Sequence, residues 1–529
     1  MSHTTAKASA WSPLSYSLFR AIWLAALVSN IGTWMQNVGA AWSMTSLSAS
    51  PLLVALLQAA TSLPVLLLGF PTGAIADIVD RRRFLLFTQI WSALASLGLT
   101  VVTLTNLTTP WSLLGFTFAL GIGAALARPV WQVIIPDLVP YEDLPAAIAL
   151  NGVNINLSRA IGPALAGLLV AAVGPAAVFG IDSLSFLAVI IVLWRWQPAP
   201  KATNMPAERF LGALRAGSRY ILHAPALQAV LIRIGIFVLA GSGLWALLPV
   251  LAKQELGLGA SGYGILLSSL GAGAVVGASQ MPKIRQYLSL NSLAIWATVV
   301  FALANLSLTR LDQLIPLCGV MFLAGFAWLG LMMSFNVAAQ TAIPRWIKAR
   351  ALGAYQVVFQ GGMAIGSVIW GIIATHLGIS EAFGIATGVL LLGIAAAPRY
   401  PIRLGDQSSL TPSMHWAEPV MAIEPQPDDG PVLLQLEYQI QPENASAFVA
   451  AMENLKAIRL RDGAIRWGLF QDLEDHQRYV ESFLVESWAE HERQHQRILQ
   501  ADLDIEQKAK SFHIGEQPPV VSHLIYKGS

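Results

Sequence analysis

Gly73-Ala74-Ile75-Ala76-Asp77-Ile78-Val79-Asp80-Arg81-Arg82-Arg83 is a short knot of charge between two long apolar runs. A carboxylate at a helix end can accept bonds from the exposed amides of another helix start, and an arginine four residues on can hold it charged and oriented. Contacts of that kind form only while the helix ends lie together, so they suit a latch in a protein that moves. The alternative reading of Arg81, Arg82 and Arg83 is a topology signal alone. Both readings require the flanking runs to be membrane spans, and each is long enough for the roughly 20 apolar residues that a crossing helix needs.

Composition supports a bilayer as the main solvent. The 529-residue chain is 55% hydrophobic and 12% charged, against about 25% charged residues in an ordinary soluble domain. The charge is unevenly spread, because residues 431–529 hold 15 of the 30 acidic and 10 of the 32 basic side chains. Two different solvents are therefore expected, one for the long apolar part and one for the tail. The lone cysteine, Cys318, cannot form an internal disulfide and lies in an apolar run, where packing is its default role. Met1 to Pro13 is polar and the first apolar stretch is too long for a signal core, so that stretch is expected to remain as an anchor.

Twelve spans are read at approximately 18–46, 51–75, 84–106, 110–135, 146–173 and 175–196, then 226–254, 261–281, 289–308, 312–341, 351–377 and 380–397. Alternate loops carry Arg81 to Arg83, then Lys283 and Arg285, then Arg345, Lys348 and Arg350, whereas the loops around Ser50, Thr109, Gly174 and Gly259 are tight and almost uncharged. Arg310 is the clearest exception. The positive-inside rule then puts both termini in the cytoplasm. The domain plan is a six-helix bundle over 1–196, a linker over 197–225, a second bundle over 226–397, a proline-rich connector over 398–430 and a cytoplasmic domain over 431–529. In the linker, Phe210, Leu211, Leu214 and Ile221 fall near one helical face and Arg209, Arg215 and Arg219 favour others, as in a helix lying on a lipid surface.

Two groups of six helices with this loop after the second resemble the major facilitator superfamily over roughly residues 15–400. Gly73, Ile75, Ala76, Asp77, Arg81 and Arg82 match that family's loop pattern, while Ile78 and Asp80 depart from it. The resemblance implies a cytoplasmic gating motif at Gly73, Asp77, Arg81 and Arg82, favouring the outward-open state when closed. In the fifth span, Arg159-Ala160-Ile161-Gly162-Pro163-Ala164-Leu165-Ala166-Gly167 is similar to the family's antiporter motif, with Arg159, Gly162, Pro163 and Gly167 as its members. Small residues allow close helix approach and Pro163 permits a bend, although ordinary packing explains glycines equally. Gly361, Gly362, Gly366 and Gly371 occupy the matching place in the second half, as an internal repeat would.

Ionisable groups inside spans are costly and mark candidate sites. Asp182 is the carboxylate well inside a span and is the proton-coupling candidate, with an ion pair to Arg159 as the alternative. The resemblance places the central cavity on the first helix of each three-helix repeat. Asn30, Trp34 and Asn37 recur at helical spacing there, and Arg128, Arg233, Trp245 and Asn336 complete the substrate-cavity candidates. Polar residues at such spacing also serve as helix glue.

The tail reads β-α-β-β-α-β, with strands at Val432 to Ile440, Ala464 to Gln471, Arg478 to Val485 and Val520 to Tyr526 and helices at Pro442 to Arg461 and Ser487 to Lys510. It resembles ferredoxin-like domains of the antibiotic-biosynthesis monooxygenase type, which implies pairing of two copies through their sheets. The run Ser487 to His495 resembles the tail of the transmembrane secretion effector branch, similar to siderophore exporters and macrolide efflux proteins. His491 and His495, four apart, have a spacing that can share a metal, but a solvated helix face is the expected reading and no metal site is assigned. Trp467 and Trp488 are read as core in preference to a ligand pocket.

The expected fold is thus an all-α polytopic membrane protein of twelve helices in two bundles with an appended α+β ferredoxin-like domain. The expected function is export of small amphipathic molecules, drug- or siderophore-like, across a bacterial inner membrane by alternating access and proton antiport. The lipid bilayer, the substrate and the proton are the expected partners; no cofactor, catalytic residue or nucleic-acid partner is assigned. The chain carries no P-loop glycine motif, which argues against an ATP-driven pump within it. A membrane-anchored enzyme or ligand sensor acting through the tail is the second class.

Overall fold

The computed structural model describes residues 11–527 apart from 79, 197–209, 406–409, 414 and 417–424. Thirteen helices come first in chain order: α1 (Ser17–Leu47), α2 (Pro51–Ile78), α3 (Arg81–Leu104), α4 (Pro110–Ile134), α5 (Leu144–Val173), α6 (Pro175–Arg195), α7 (Phe210–His223), α8 (Pro225–Val250), α9 (Ala260–Ile284), α10 (Leu290–Leu308), α11 (Leu314–Thr341), α12 (Lys348–Leu377) and α13 (Ile379–Ile394). Among the described residues eleven helices are long and apolar enough to cross a membrane, and α13 is a shorter apolar helix. The twelfth expected span falls on α13. The chain forms two compact units, the first from Met1–Asn204, Leu231–Asn336 and Gly353–Ile402, the second from Met205–Val230, Val337–Leu352 and Arg403–Ser529.

Local chemistry sets the helix ends in the first unit. Asp80, a departure from the family pattern, is the N-cap of α3, and its Oδ1 accepts from the Arg83 amide at 2.9 Å. That bond satisfies one of the amides a helix start leaves without an intrahelical partner. Gly174, at φ +88°, turns the chain between α5 and α6, and Pro175 opens α6 at a position where its missing N–H costs nothing. Ahead of α1, the Ser12 and Tyr16 hydroxyls both donate to Asp143, just before α5, and these hydrogen bonds hold that carboxyl below the usual range.

Glycines decide how the helices of this unit cross. A Cβ on Gly162 of α5 would meet Trp34 Cβ of α1 at 2.6 Å, and one on Gly167 would meet the Ala260 carbonyl of α9 at 2.7 Å. From the other side, a Cβ on Gly264 of α9 would lie 2.5 Å from the Pro163 carbonyl, and one on Gly271 would lie 2.6 Å from the Arg159 carbonyl. The same pattern recurs on α12, where a Cβ on Gly366 would run into Ser242 and the Leu239 carbonyl of α8, and one on Gly371 would meet Ala55 Cβ of α2 at 2.7 Å. So α5 rests on α1 and α9 while α12 rests on α8 and α2, in each case through glycines five residues apart. The repeat in the sequence corresponds to a repeat in packing. Backbones this close gain dispersion contacts that larger side chains would forbid.

The second unit centres on a four-stranded antiparallel sheet in the order β2-β3-β1-β4, formed by β1 (Val432–Gln439), β2 (Ala464–Gln471), β3 (Arg478–Val485) and β4 (Val520–Ile525). Val432 pairs with Val485 on one side and Ile525 on the other. Alternation sends Leu434, Leu436 and Tyr438 inward, against Phe448, Met452 and Leu455 of α14 (Ala445–Asp462). Gly463, at φ +141°, ends α14. The second expected helix is broken in two, α15 (Trp488–Arg497) and α16 (Gln500–Lys510), with Ile498 and Leu499 both buried at the break. In the proline-rich stretch before the sheet, Pro412 bridges to Leu499 and the Gln500 amide donates to the Thr411 carbonyl.

Helix α7 packs against α14 within this unit. Its Arg219 donates to Glu490 at 3.0 Å, and the buried Tyr220 donates to the Ala342 carbonyl. Arg497 grips Glu490 with both ends of its fork and stacks 4.6 Å over Trp346. The side chains of residues 210–216 lie outside the described set.

Gly264→Leu, which drives a side chain into the Pro163 carbonyl, is expected to cost about 1–3 kcal/mol or more and to lower folded yield. Gly115→Leu, at a site with nothing within 4 Å of the new Cβ, is expected to leave yield unchanged. Size-exclusion profiles and thermal melts in detergent check both.

Candidate functional site

A cavity of about 630 Å³ runs through the first unit, lined mainly by α1, α3, α4, α5 and α6, with Gln356 of α12 on the opposite wall. Its lining extends from Asn37 and Asp182 at mid-span to Phe19, Trp23, Ile135 and Leu138, at the end that bears the α2–α3 loop. The opposite end is tied shut. Lys253, in the turn that follows α8, donates to the Thr45 carbonyl and the Ser46 hydroxyl, both at 2.9 Å, and lies 5.6 Å over the Trp42 ring. Gln254 donates to the Ala49 carbonyl at 3.0 Å.

Several expected residues meet here. Asn30, Trp34, Asn37, Arg128, Arg159 and Asp182 all line this one cavity. Asn30 is also helix glue, donating to Asn154 of α5 at 2.9 Å, while Asn154 donates to the Trp23 carbonyl of α1. Asp182 is buried; its Oδ2 accepts from Ser96 of α3 at 2.8 Å and its Oδ1 has no partner in hydrogen-bond geometry. Among the described residues no ion pair joins Asp182 to Arg159. Arg159 instead sits 5.5 Å over the Trp34 ring, with its Nε buried and without a hydrogen-bond partner.

Other candidates lie elsewhere. Arg233 is buried in the α8–α10 region, bonded to Asn291 at 3.2 Å and to the Tyr400 carbonyl at 3.5 Å, and lines a separate small crevice with Phe237 and Phe335. Its position within the eighth helix gave no indication of which face it would occupy. Trp245 is not a lining residue but packs between Trp34 and Trp328, at centroid distances of 6.4 and 5.6 Å. Asn336 lies outside the lining of the cavity. In the charged loop, the surroundings of Gly73 and the side chain of Asp77 lie outside the described set. Arg82 is placed: its Nε donates to the Leu193 carbonyl at 2.9 Å and its Nη2 to that of Trp194, capping the end of α6. A cation on the last carbonyls of a helix complements the dipole there. Gly162 and Gly167 make the crossings already described, and Pro163 supplies the carbonyl against Gly264.

Sequence reasoning missed Trp23, Gln89, Trp131 and Gln356 on the cavity wall, and Lys253 at its closed end. Helical spacing from Asn30 reaches Trp23 one turn pair earlier, which is the one signal that was available.

The model of the family "Transmembrane secretion effector" matches residues 8–529. The chain belongs to this family. Its relatives include the staphyloferrin A transporter of Staphylococcus aureus, 25% identical over 361 residues, covering 67% of this chain and 89% of the relative. The enterobactin exporter EntS of Shigella boydii is 27% identical over 394 residues, covering 72% and 91%. Among solved structures, a POT family transporter superposes with a TM-score of 0.60 at 11% identity, covering 72% of this chain and 96% of that one. A nucleoside transporter NupG variant superposes with a TM-score of 0.58 at 12% identity, covering 73% and 100%. These likenesses establish the major facilitator fold, and this secretion effector is a multi-pass membrane transporter.

The second unit of the secretion effector has its own polar interior. Arg459 is fully buried, bonded to Glu481 at 3.0 Å and Glu506 at 3.4 Å and held between the rings of Trp416 and Phe483. Trp467 Nε1 donates to Glu481 at 3.0 Å, and the Tyr438 hydroxyl donates to the other oxygen of the same carboxylate. Burial alone would raise the Glu506 carboxyl, but the charges of Arg459 and Lys510 outweigh it and bring it down to about 2. His491 and His495 are not on a solvated face as expected. His491 is buried against Trp416, Trp488 and His523, and its Nε2 lies 3.4 Å from that of His495. Among the described residues no cluster of three or more His, Cys, Asp or Glu has a metal-holding arrangement. Trp488 is part of the sheet's hydrophobic core, and Trp467 is partly buried against that core.

Burial, reinforced by the neighbouring His523 and His495, pushes the His491 imidazole down to about 4. An unfolded histidine titrates near 6.5, so between pH 6.5 and about 4 the unfolded state binds the extra proton and acid destabilises the fold. The stabilisation present above pH 6.5 is expected to fall by up to about 3 kcal/mol on acidification to pH 4, and His491→Phe is expected to flatten that dependence. Hydrogen-exchange protection of β1 and β3 peptides in the full chain, corrected for intrinsic rates, checks this.

Proposed function

We propose that this secretion effector exports small amphipathic molecules, drug- or siderophore-like, across a bacterial inner membrane by alternating access of two six-helix halves, α1–α6 and α8–α13. The observation that carries the reading is a cavity of about 630 Å³ whose lining reaches one end, while Lys253 and Gln254 tie the other end together. With the arginine-rich loops cytoplasmic, this is an inward-open arrangement, and the Lys253 tie is the part that parts in the outward-open state. The names of the two relatives support the substrate class. The rigid crossings of α5 on α9 and of α12 on α2 give the halves surfaces to rock on.

Asp182 is the proposed proton carrier for antiport. It is a buried carboxylate on the cavity wall with one oxygen bonded to Ser96 and the Thr33 side chain close by. Gly73, Asp77, Arg81 and Arg82 form the proposed cytoplasmic gate, with Arg82 acting through the end of α6. The tail has the strand order of ferredoxin-like folds, and in the monooxygenase-type resemblance its outer sheet face pairs with a second copy. Its dense Arg459 core and its contacts with α7 and Trp346 favour a regulatory or assembly role over catalysis.

Two measurements test the transporter reading. Full-length protein in liposomes is expected to move siderophores or macrolides only under an imposed proton gradient, and Asp182→Asn is expected to reduce that movement at least about tenfold; normal, pH-dependent transport by the variant removes the carrier role. In a Cys318→Ala background carrying Asn37→Cys, Lys253→Ala is expected to raise labelling by an impermeant maleimide from the outer side several-fold. Unchanged labelling removes the proposed outer gate.

A further inference from the structure

We propose that the cavity is an anion site in which Arg128 and Arg159 bind the acidic groups of a planar, aromatic substrate stacked on Trp23, Trp34 and Trp131. This deepens the export reading and rests on it for the direction of movement, though not for the binding itself.

Charge makes the first part of the case. Arg128 and Arg159 line one cavity, and among the described residues neither forms an ion pair or a hydrogen bond to a carboxylate. Among the described lining residues Asp182 is the one carboxylate, and its bonded oxygen is engaged by Ser96. The described lining is therefore net positive whether Asp182 is protonated or ionised. Arg128 is exposed to the cavity, so the cost of a desolvated cation falls on Arg159, whose Nε is buried, and the amides of Asn30, Asn37 and Gln356 can solvate charge but not neutralise it. A bound anion supplies the missing counter-charge. A guanidinium fork matches the two oxygens of a carboxylate, sulfonate or phosphate better than any neutral group.

Geometry makes the second part. Arg159 is already aligned, 5.5 Å over the Trp34 ring, while its buried Nε has no partner. Trp34 is fixed from behind by Gly162 against its Cβ and by Trp245 beyond it. Trp23 is anchored through its indole N–H to the Leu150 carbonyl at 2.9 Å, leaving its ring on the cavity wall. Arg128 and Trp131 stand together on the last turns of α4. Cations and indole faces alternate along the wall, an arrangement suited to a flat molecule with acidic groups at its rim. An anion leaving a compartment that is negative inside also moves with the field.

Fluorescein and rhodamine 123 share a tricyclic xanthene frame and carry opposite charge, so they isolate the charge preference at constant shape. Fluorescence anisotropy with the full-length protein in lipid nanodiscs is expected to show fluorescein bound at least about tenfold more tightly than rhodamine 123. Arg128→Gln and Arg159→Gln are each expected to weaken fluorescein by about tenfold or more and to leave rhodamine 123 unchanged or tighter. Arg128→Lys is expected to keep most of the fluorescein affinity, and matched thermal melts separate loss of contact from loss of fold. Preference for rhodamine 123, failure of fluorescein to bind, or unchanged fluorescein affinity in both glutamine variants overturns the proposal. Because no molecule crosses a membrane in this measurement, a failure of vesicle efflux leaves it standing, and loss of anion selectivity leaves the export reading standing.

Discussion

The close backbone crossings of α5 on α9 and α12 on α2 are the constraint on which the membrane unit depends. In lipid there is little hydrophobic gain from joining two apolar helices, so association relies on contact at short range. Gly167 and Gly264 provide that contact on one side of the unit, and Gly371 against Ala55 and Leu52 provides it on the other. Because the two crossings use the same spacing on corresponding helices, they define a pair of equivalent bearings. The cavity lies beside them, and Gly162, one turn and a half from Gly167, seats the tryptophan that faces it.

That arrangement explains why so much polarity is tolerated at membrane depth. Asn30, Asn154 and Trp23 bond α1 to α5, Ser96 and Asp182 bond α3 to α6, and Ser183 donates to the Ala93 carbonyl across the same pair. Each bond saturates a group that would otherwise be stranded in hydrocarbon. An oxygen of Asp182 and the Nε of Arg159 stay unsaturated on the cavity wall, while buried polar atoms of Ser43, Thr117, Ser268 and Asn305 stay so away from it. In the second unit the same rule has a different outcome, since Arg459, Glu481 and Glu506 saturate one another inside a protein core and present no comparable wall.

Much of the fold was legible in the sequence because its signals are local. Span length and the arginine loops follow from the solvent, and the four tail strands follow from alternation around β1 and β3. The candidate site was legible in part. Asn30, Trp34 and Asn37 could be placed on one face because helical spacing fixes faces within a helix. Arg233 and Trp245 could not be placed, because spacing says nothing about which neighbour a face meets. His491 was misread for the same reason: its helix looks solvated in isolation, and Trp416, a distant residue in the proline-rich stretch, covers it. Lys253 was invisible, since its partners, the Thr45 carbonyl, the Ser46 hydroxyl and the Trp42 ring, lie about two hundred residues away in the chain.

By itself the sequence determined that this is a polytopic membrane protein of the facilitator type with a separate α+β tail, because hydropathy, loop charge and strand alternation are properties of contiguous residues. Only the tertiary structure decided that Arg82 caps α6 and that Asp182 and Arg159 share a cavity without pairing. It alone decided that Arg233 belongs to another site and that Lys253 closes the far end. Each of these depends on distance between residues far apart in the chain, which no local pattern encodes.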